Sequence, residues 1–94
     1  MEEKTPLEKY NETVQAEARK QNKHFRTEIE PASQRGYLIV HIWYGFYYIG
    51  FTVIESCWAR RNDTPFDLNQ MFYLISSTAA YGRALETVTE NESN

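Results

Sequence analysis

The chain has 94 residues, of which 41% are hydrophobic and 24% are charged, and its formal net charge is −3 at pH 7. A chain of this length makes one domain, and folding buries only about 60 to 65% of the surface that the unfolded chain exposes. A net-acidic chain also lacks the broad basic surface that non-specific binding of DNA or RNA requires. We therefore predict a single domain over residues 1–94, with flexible tails at 1–5 and 89–94, and exclude extended nucleic acid as a partner.

Cysteine content and missing motifs restrict the chemistry of the chain. Cys57 is the single cysteine, and no charged and then apolar leader opens the sequence, so we expect a reducing, cytoplasmic location. The sequence has no glycine-rich phosphate loop, no HExxH and no GxSxG, and one cysteine cannot supply a paired-cysteine zinc site. Cys57 and His41 could act as nucleophile and base only if the fold united them. We predict a non-enzymatic protein without a metal or a cofactor.

The first predicted element is a helix from about Pro6 to Phe25. Thr5 can act as its N-cap, proline suits the first helical position, and Glu8 can complete a capping box. Apolar residues at helical spacing form a narrow stripe on an otherwise charged helix, namely Leu7, Tyr10, Val14, Ala18 and Phe25. A helix of this kind docks along one side only.

The end of this helix carries a basic cluster, "RKQNKHFR", over residues 19–26. Positive charge complements the helix dipole there and could bind phosphate, while aromatic rings could stack on a base. The candidate ligand-binding residues are Arg19, Lys20, Lys23, Arg26 and Tyr10. The alternative is a solvated helix end that binds nothing.

The middle of the chain is ambiguous between helix and strand. Eight of the fourteen aromatic residues lie between Gly36 and Arg61. Aromatic and β-branched residues favour strands, and Gly45 or Gly50 could turn a hairpin, which would give an α-β-β-α fold. Against strands, this stretch contains no Asn, Asp or Pro, and Pro31 stands where a helix could begin. We predict one long helix over about 31–61 and keep the α-β-β-α fold as the alternative.

The same segment could also cross a membrane. From Gly36 to Ile54 there are nineteen residues without an Asp, Glu, Lys or Arg, which is close to the length of a transmembrane helix. His41 and several tyrosines count against a span, because a tyrosine hydroxyl in the hydrocarbon centre needs a partner. A small single-span membrane protein is therefore the third alternative.

A second start signal, "TPFD" at residues 64–67, predicts a last helix from about Pro65 to Val88. If this helix packs antiparallel on the middle helix, close approach of two backbones explains the glycines inside both helices. In that arrangement, the predicted packing pairs are Gly45 with Gly82 and Gly50 with Ser77. The predicted fold class is all-α, with a short N-terminal helix followed by a long antiparallel helical hairpin.

The aromatic segment is too large for one small helix to cover, so we expect a homo-oligomer. The expected interface residues are Trp43, Tyr44, Tyr47, Tyr48, Phe51 and Trp58. A short first helix and a long helical hairpin in an oligomer form an outline that resembles small phage proteins which sequester cyclic-nucleotide immune signals. We predict a non-enzymatic interaction protein that binds a macromolecular partner through an aromatic-rich helical surface. The alternative that the resemblance implies is an oligomer that sequesters a small phosphorylated nucleotide.

Overall fold

A computed structural model describes residues 4–93, with the backbone alone described for residues 89–93. The helices are α1 (Pro6–Gln21), α2 (Ser56–Arg60), α3 (Phe66–Ile75) and α4 (Ala79–Ser93), and the strands are β1 (Phe25–Pro31), β2 (Tyr37–Tyr44) and β3 (Tyr47–Glu55). The strands pair antiparallel in the order β1-β2-β3. The protein is therefore mixed α+β.

The prediction of an all-α fold with a helical hairpin is wrong. The segment assigned to one helix over 31–61 forms β2, β3 and the short helix α2. Every second residue of β2 is buried, from Leu38 to Tyr44, and this period of two is that of a strand. The α-β-β-α alternative contained this hairpin but missed β1. The resemblance to the small phage proteins depended on the predicted helical hairpin, so the structure does not support it.

Gly45 turns the chain between β2 and β3. Tyr44 pairs with Tyr47, which leaves a two-residue turn of Gly45 and Phe46. The φ angle of Gly45 is 59°, while Phe46 has no positive φ. This pattern fits a type II′ turn, in which glycine takes the first central position and the twist matches that of the strands.

The predicted helix-packing pairs are wrong because residues 4–93 form no long helical hairpin. A Cβ on Gly45 would meet Cγ2 of Val88 at 3.3 Å, whereas a Cβ on Gly82 would meet no atom within 4 Å. Gly50 lies in β3 beside a bulge, because the pairing passes from Tyr48 to Gly50 and skips the residue between them. Gly50 therefore has no packing role against Ser77.

The sheet has two faces, and the core lies on one of them. The inner face carries the buried or partly buried residues Phe25, Thr27, Ile29, Leu38, Val40, Ile42, Tyr44, Thr52 and Ile54. Against it pack α1, through the predicted stripe residues Tyr10, Val14 and Ala18, and α3, through Leu68, Phe72 and Ile75. The stripe is thus confirmed at the three residues that α1 buries.

The single helix predicted over 65–88 is divided into α3 and α4. The hydroxyls of Ser76, Ser77 and Thr78 donate to the carbonyls of Phe72, Leu74 and Ile75, and such bonds compete with helix continuation. Thr78 Oγ1 then accepts the amide of Tyr81 at 3.1 Å and caps α4.

The two similar start signals behave differently. Thr5 Oγ1 accepts the amide of Glu8 at 3.1 Å, so the predicted N-cap of α1 is confirmed. The N-cap position of α3 is Pro65, which makes no side-chain cap bond. The helix therefore begins one residue later than predicted, and Thr64 does not cap it.

No helix in residues 4–93 has the length and hydrophobicity needed to cross a membrane. The apolar run that raised this alternative, from Gly36 to Ile54, lies in β2 and β3. Of the tails predicted to be flexible, residues 1–3 and 94 lie outside the described part of the chain, and their flexibility stays a prediction.

Candidate interaction surface

The outer face of the sheet carries the side chains that point away from the helices. Cross-strand pairing arranges them in rows. The first row is Arg26, Trp43 and Tyr48, the second is Glu28, His41 and Phe51, the third is Glu30, Ile39 and Val53, and the fourth is Tyr37 and Glu55. Phe51 is 58% exposed and Val53 50% exposed. The outer face therefore has an uncovered apolar centre, with carboxylates along β1 and at one corner.

A cation–π contact and an edge-to-face ring contact join the side chains of the first row. The guanidinium of Arg26 lies over the Trp43 ring, 4.8 Å from its centroid, and also bonds Glu28 at 2.7 Å. Trp43 meets Tyr48 edge to face, with ring centroids 5.2 Å apart. Cation–π and edge-to-face contacts each contribute about 0.5 to 1 kcal/mol at exposed sites. Nε1 of Trp43 is buried and has no partner among the described residues.

His41, in the second row, contacts one residue of the first row and one of the third. Its Nδ1 lies 2.9 Å from the hydroxyl of Tyr48, and its Nε2 lies 3.1 Å from a carboxylate oxygen of Glu30. The hydrogen bond at one ring nitrogen determines the tautomer and therefore the role of the other. These contacts restrain the orientation of the Tyr48 ring on the outer face. The thiol of Cys57 instead donates to Glu55 at 3.4 Å.

The predicted interface residues are divided between the two faces and the turn. Trp43, Tyr48 and Phe51 come together on the outer face, and Tyr47 is exposed beside the turn. Tyr44 is 1% exposed and belongs to the core. Trp58 is partly buried in α2, with Arg61 over its ring at 4.6 Å.

The residues of the predicted basic cluster do not form one site. Arg19 Nε donates to the carbonyl of Phe25, Lys20 pairs with Glu17, and Arg26 points from the outer face. Lys23 is exposed. The helix ends at Gln21 rather than Phe25, so Arg26 belongs to a strand.

Tyr10, the fifth residue of that predicted site, is buried against the loop between α2 and α3. Its hydroxyl donates to the carbonyl of Asp63 at 2.9 Å. Burial, together with the charges of Asp63 and Cys57, raises the pKa of Tyr10 to about 12. The tyrosine therefore joins α1 to the loop and is not available to stack on a ligand.

Three polar residues of α1 close the free edge of β1, and the sequence analysis missed them. Asn11 Nδ2 donates to the carbonyl of Thr27, Gln15 Oε1 accepts the amide of Thr27, and Arg19 donates to the carbonyl of Phe25. Their spacing of four residues places them in one line along the helix. That spacing, next to the apolar stripe, is the sequence signal that could have indicated them.

The described residues contain no group of three His, Cys, Asp or Glu side chains that could hold a metal ion. Comparison of the chain with protein-family models, with curated proteins and with solved structures found no match.

Proposed function

We propose that this chain is a non-enzymatic interaction protein that binds a macromolecular partner, and further copies of itself, through the outer face of its sheet. The observation that carries the proposal is the position of Phe51 and Val53, which stay at least half exposed at the centre of the outer face. Contiguous exposed apolar surface of this kind marks protein interaction sites. We include a cytoplasmic location in the proposal, because the lone cysteine suits a reducing compartment.

The charges on the outer face favour a protein partner over an anionic ligand. Three carboxylates, of Glu28, Glu30 and Glu55, surround the apolar centre, and the guanidinium of Arg26 already pairs with Glu28. A phosphate group would meet more negative than positive charge there. We do not extend the proposal to a phosphorylated nucleotide, because no observation favours such a ligand.

Size-exclusion chromatography with light scattering, over micromolar to hundred-micromolar concentrations, tests the proposal. The wild-type protein should run above its monomer mass of 11.1 kDa, and Phe51→Glu should shift it to the monomer, since burying an unpaired carboxylate costs several kcal/mol. Phe46→Glu is the matched control: Phe46 is 93% exposed in the turn, and its substitution should leave the mass unchanged. A wild-type monomer at every concentration would contradict the proposal.

A further inference from the structure

The free edge of β3 presents a row of backbone groups to solvent. In an antiparallel ladder, residues bonded to one neighbour alternate with residues whose N–H and C=O point the other way. The amide of Ser56 donates to the carbonyl of Gly36 at 2.8 Å, which sets this alternation for the paired strands β2 and β3. The N–H and C=O groups of Phe51, Val53 and Glu55 therefore point away from β2.

The two edges of the sheet differ in how these groups are satisfied. At β1, the outward groups of Phe25 and Thr27 bond to side chains of α1. At β3, within residues 4–93, no such bond to a side chain or a neighbouring strand reaches the outward backbone groups of Phe51 and Val53. Glu55 is the N-cap of α2, so its carbonyl takes part in the first turn of that helix and only its amide is left for a partner. Proteins usually cover or blunt such an edge, because it is a template for another strand.

A groove runs between this edge and α3. It consists of two adjoining cavities of about 340 and about 360 Å³, which share Ile54 and Asp67. The first is also lined by Thr52, Leu68, Gln70, Met71 and Leu74, and the second by Tyr37, Val53, Glu55, Trp58 and Pro65. The second cavity touches residues from both faces of β3, so it lies around the free edge.

The backbone groups at the edge distinguish between possible occupants. A helix satisfies its own backbone N–H and C=O groups internally and could not pair with those of Phe51 and Val53. An extended strand pairs with them and brings alternate side chains into the groove.

Charge defines the chemistry of that strand. The charged residues lining the two cavities are both carboxylates, namely Glu55 in the cavity beside α2 and Asp67 where the two cavities meet. The opposite end is lined by Leu74, Met71 and Thr52. The complementary segment has an apolar side chain at every second position, and it carries a lysine or an arginine at the end beside Glu55 and Asp67.

We propose that the free edge of β3 and the groove beside α3 form a strand-addition site for an extended segment of a partner protein. This segment has an apolar side chain at every second position and a basic residue at one end. The segment pairs its backbone with Phe51, Val53 and the amide of Glu55 as a fourth strand, and its inward side chains enter the groove. This site shares Phe51 and Val53 with the outer face but uses their backbone groups, whereas the outer-face contact uses their side chains. Phe51→Glu therefore tests the outer-face contact while keeping the N–H and C=O groups that the segment would pair with.

A displayed library of random peptides, each about nine residues long and thus longer than the free edge at ~3.3 Å per residue, provides the probe. Selection should enrich peptides that alternate apolar residues and end in lysine or arginine. Hydrogen exchange at the amides of Phe51, Val53 and Glu55 should slow about tenfold when a selected peptide is present at ten times its Kd.

Two pairs of variants test the mode of binding. Val53→Pro removes an outward N–H while keeping the ladder to β2, and should abolish binding, whereas Val53→Ala loses the same side chain but keeps the N–H and should still bind. Leu74→Lys should block the groove, and Tyr73→Lys, the same charge change at an exposed position of α3 outside the groove, should not. If Val53→Pro does not fold, the second pair decides.

Three results would overturn the proposal. The first is a selection in which every peptide binds Val53→Pro as well as it binds the wild-type protein. Where the proline variant does not fold, Leu74→Lys takes its place in this comparison. The second is unchanged exchange of the three amides with peptide bound. The third is protection of these amides in the free protein together with a doubled mass that Val53→Pro abolishes, because a second copy would then occupy the edge.

Discussion

Asn11 and Thr27 are joined by two hydrogen bonds that close one edge of the sheet. The side-chain amide of Asn11 donates to the backbone carbonyl of Thr27 at 2.9 Å, and the hydroxyl of Thr27 donates to the amide oxygen of Asn11 at 2.7 Å. Thr27 is 1% exposed, so no solvent can replace these bonds if they are lost. The pair thereby connects α1 to β1 and satisfies a backbone carbonyl that has no neighbouring strand.

Asn11→Ala should destabilise the protein by about 2 to 3 kcal/mol, because it leaves the buried carbonyl and hydroxyl of Thr27 without partners. Glu12→Ala, at the next and exposed position of α1, should stay within about 0.5 kcal/mol. Urea unfolding followed by circular dichroism measures both. Adding Thr27→Val to Asn11→Ala should recover part of the loss, since the hydroxyl is then absent. Additive losses in the double variant would show that the two side chains do not interact.

Thr5→Ala and Thr64→Ala should have different effects although both residues begin a Thr-Pro start signal. Thr5 caps α1, and its loss should cost about 1 kcal/mol. Thr64 makes no cap bond to α3, so its replacement should cost no more than about 0.5 kcal/mol. Thermal or urea unfolding compares the two, and equal losses would contradict the assignment of the caps.

Gly45→Ala and Gly82→Ala should change stability in opposite directions. Gly45 has a positive φ, and an added Cβ would meet Val88 at 3.3 Å, so alanine should cost about 1 to 3 kcal/mol. Gly82 lies in α4 with open space around its Cβ position, and alanine there should stabilise by about 0.5 to 1 kcal/mol. Urea midpoints measure both. Destabilisation by Gly82→Ala would indicate a close contact that this fold does not contain.

Alkaline unfolding should depend on Tyr10. Its pKa is raised from 10.0 to about 12, so the native state holds the phenolic proton more tightly than the unfolded chain. The contribution of this pKa difference to the free energy of unfolding is complete below pH 10 and is lost as pH rises through 12. Tyr10→Phe should be less stable at neutral pH by about 1 kcal/mol, from loss of the bond to Asp63, and its stability should fall less steeply between pH 10 and 12. Parallel pH profiles for the two proteins would contradict this.

The sequence predicts α1 well because all its local signals agree. The cap at Thr5, the proline after it and the stripe of Tyr10, Val14 and Ala18 all indicate the same helix, and the structure confirms it. The end of the helix was misjudged, because Phe25 continues the helical spacing by coincidence. In fact Phe25 begins a run in which Phe25, Thr27 and Ile29 alternate with charged residues, and this alternation is the signature of β1.

The middle segment was predicted as a helix instead of strands for a physical reason. In β2 the outward residues Ile39 and Trp43 are as apolar as the inward ones, so the period of two is hard to see in hydrophobicity alone. The feature that hid the strand is thus the feature that makes the outer face a candidate interaction surface. A sequence reading cannot separate a strand exposed to a partner from a continuous buried segment, because both lack polar alternation.

The break between α3 and α4 shows a competition that spacing does not reveal. Apolar residues continue at helical intervals from Leu68 to Ala84, but the hydroxyls of residues 76–78 bond back to the preceding turn. Single serine or threonine residues are tolerated in helices, whereas three in succession offer the backbone a local alternative. Ser77 is predicted from the sequence as a packing partner of Gly50, whereas its hydroxyl donates to the carbonyl of Leu74.

The difference between the two sheet edges also limits how many molecules can join through them. Head-to-tail growth of a sheet into a filament needs two open edges on every molecule, one to offer and one to receive. Here Asn11, Gln15 and Arg19 bond outward backbone groups of Phe25 and Thr27 at β1, so within residues 4–93 β3 is the more open of the two edges. Edge pairing between copies would therefore end at two molecules, and an exposed strand rich in aromatic and β-branched residues is kept from propagating into a fibre.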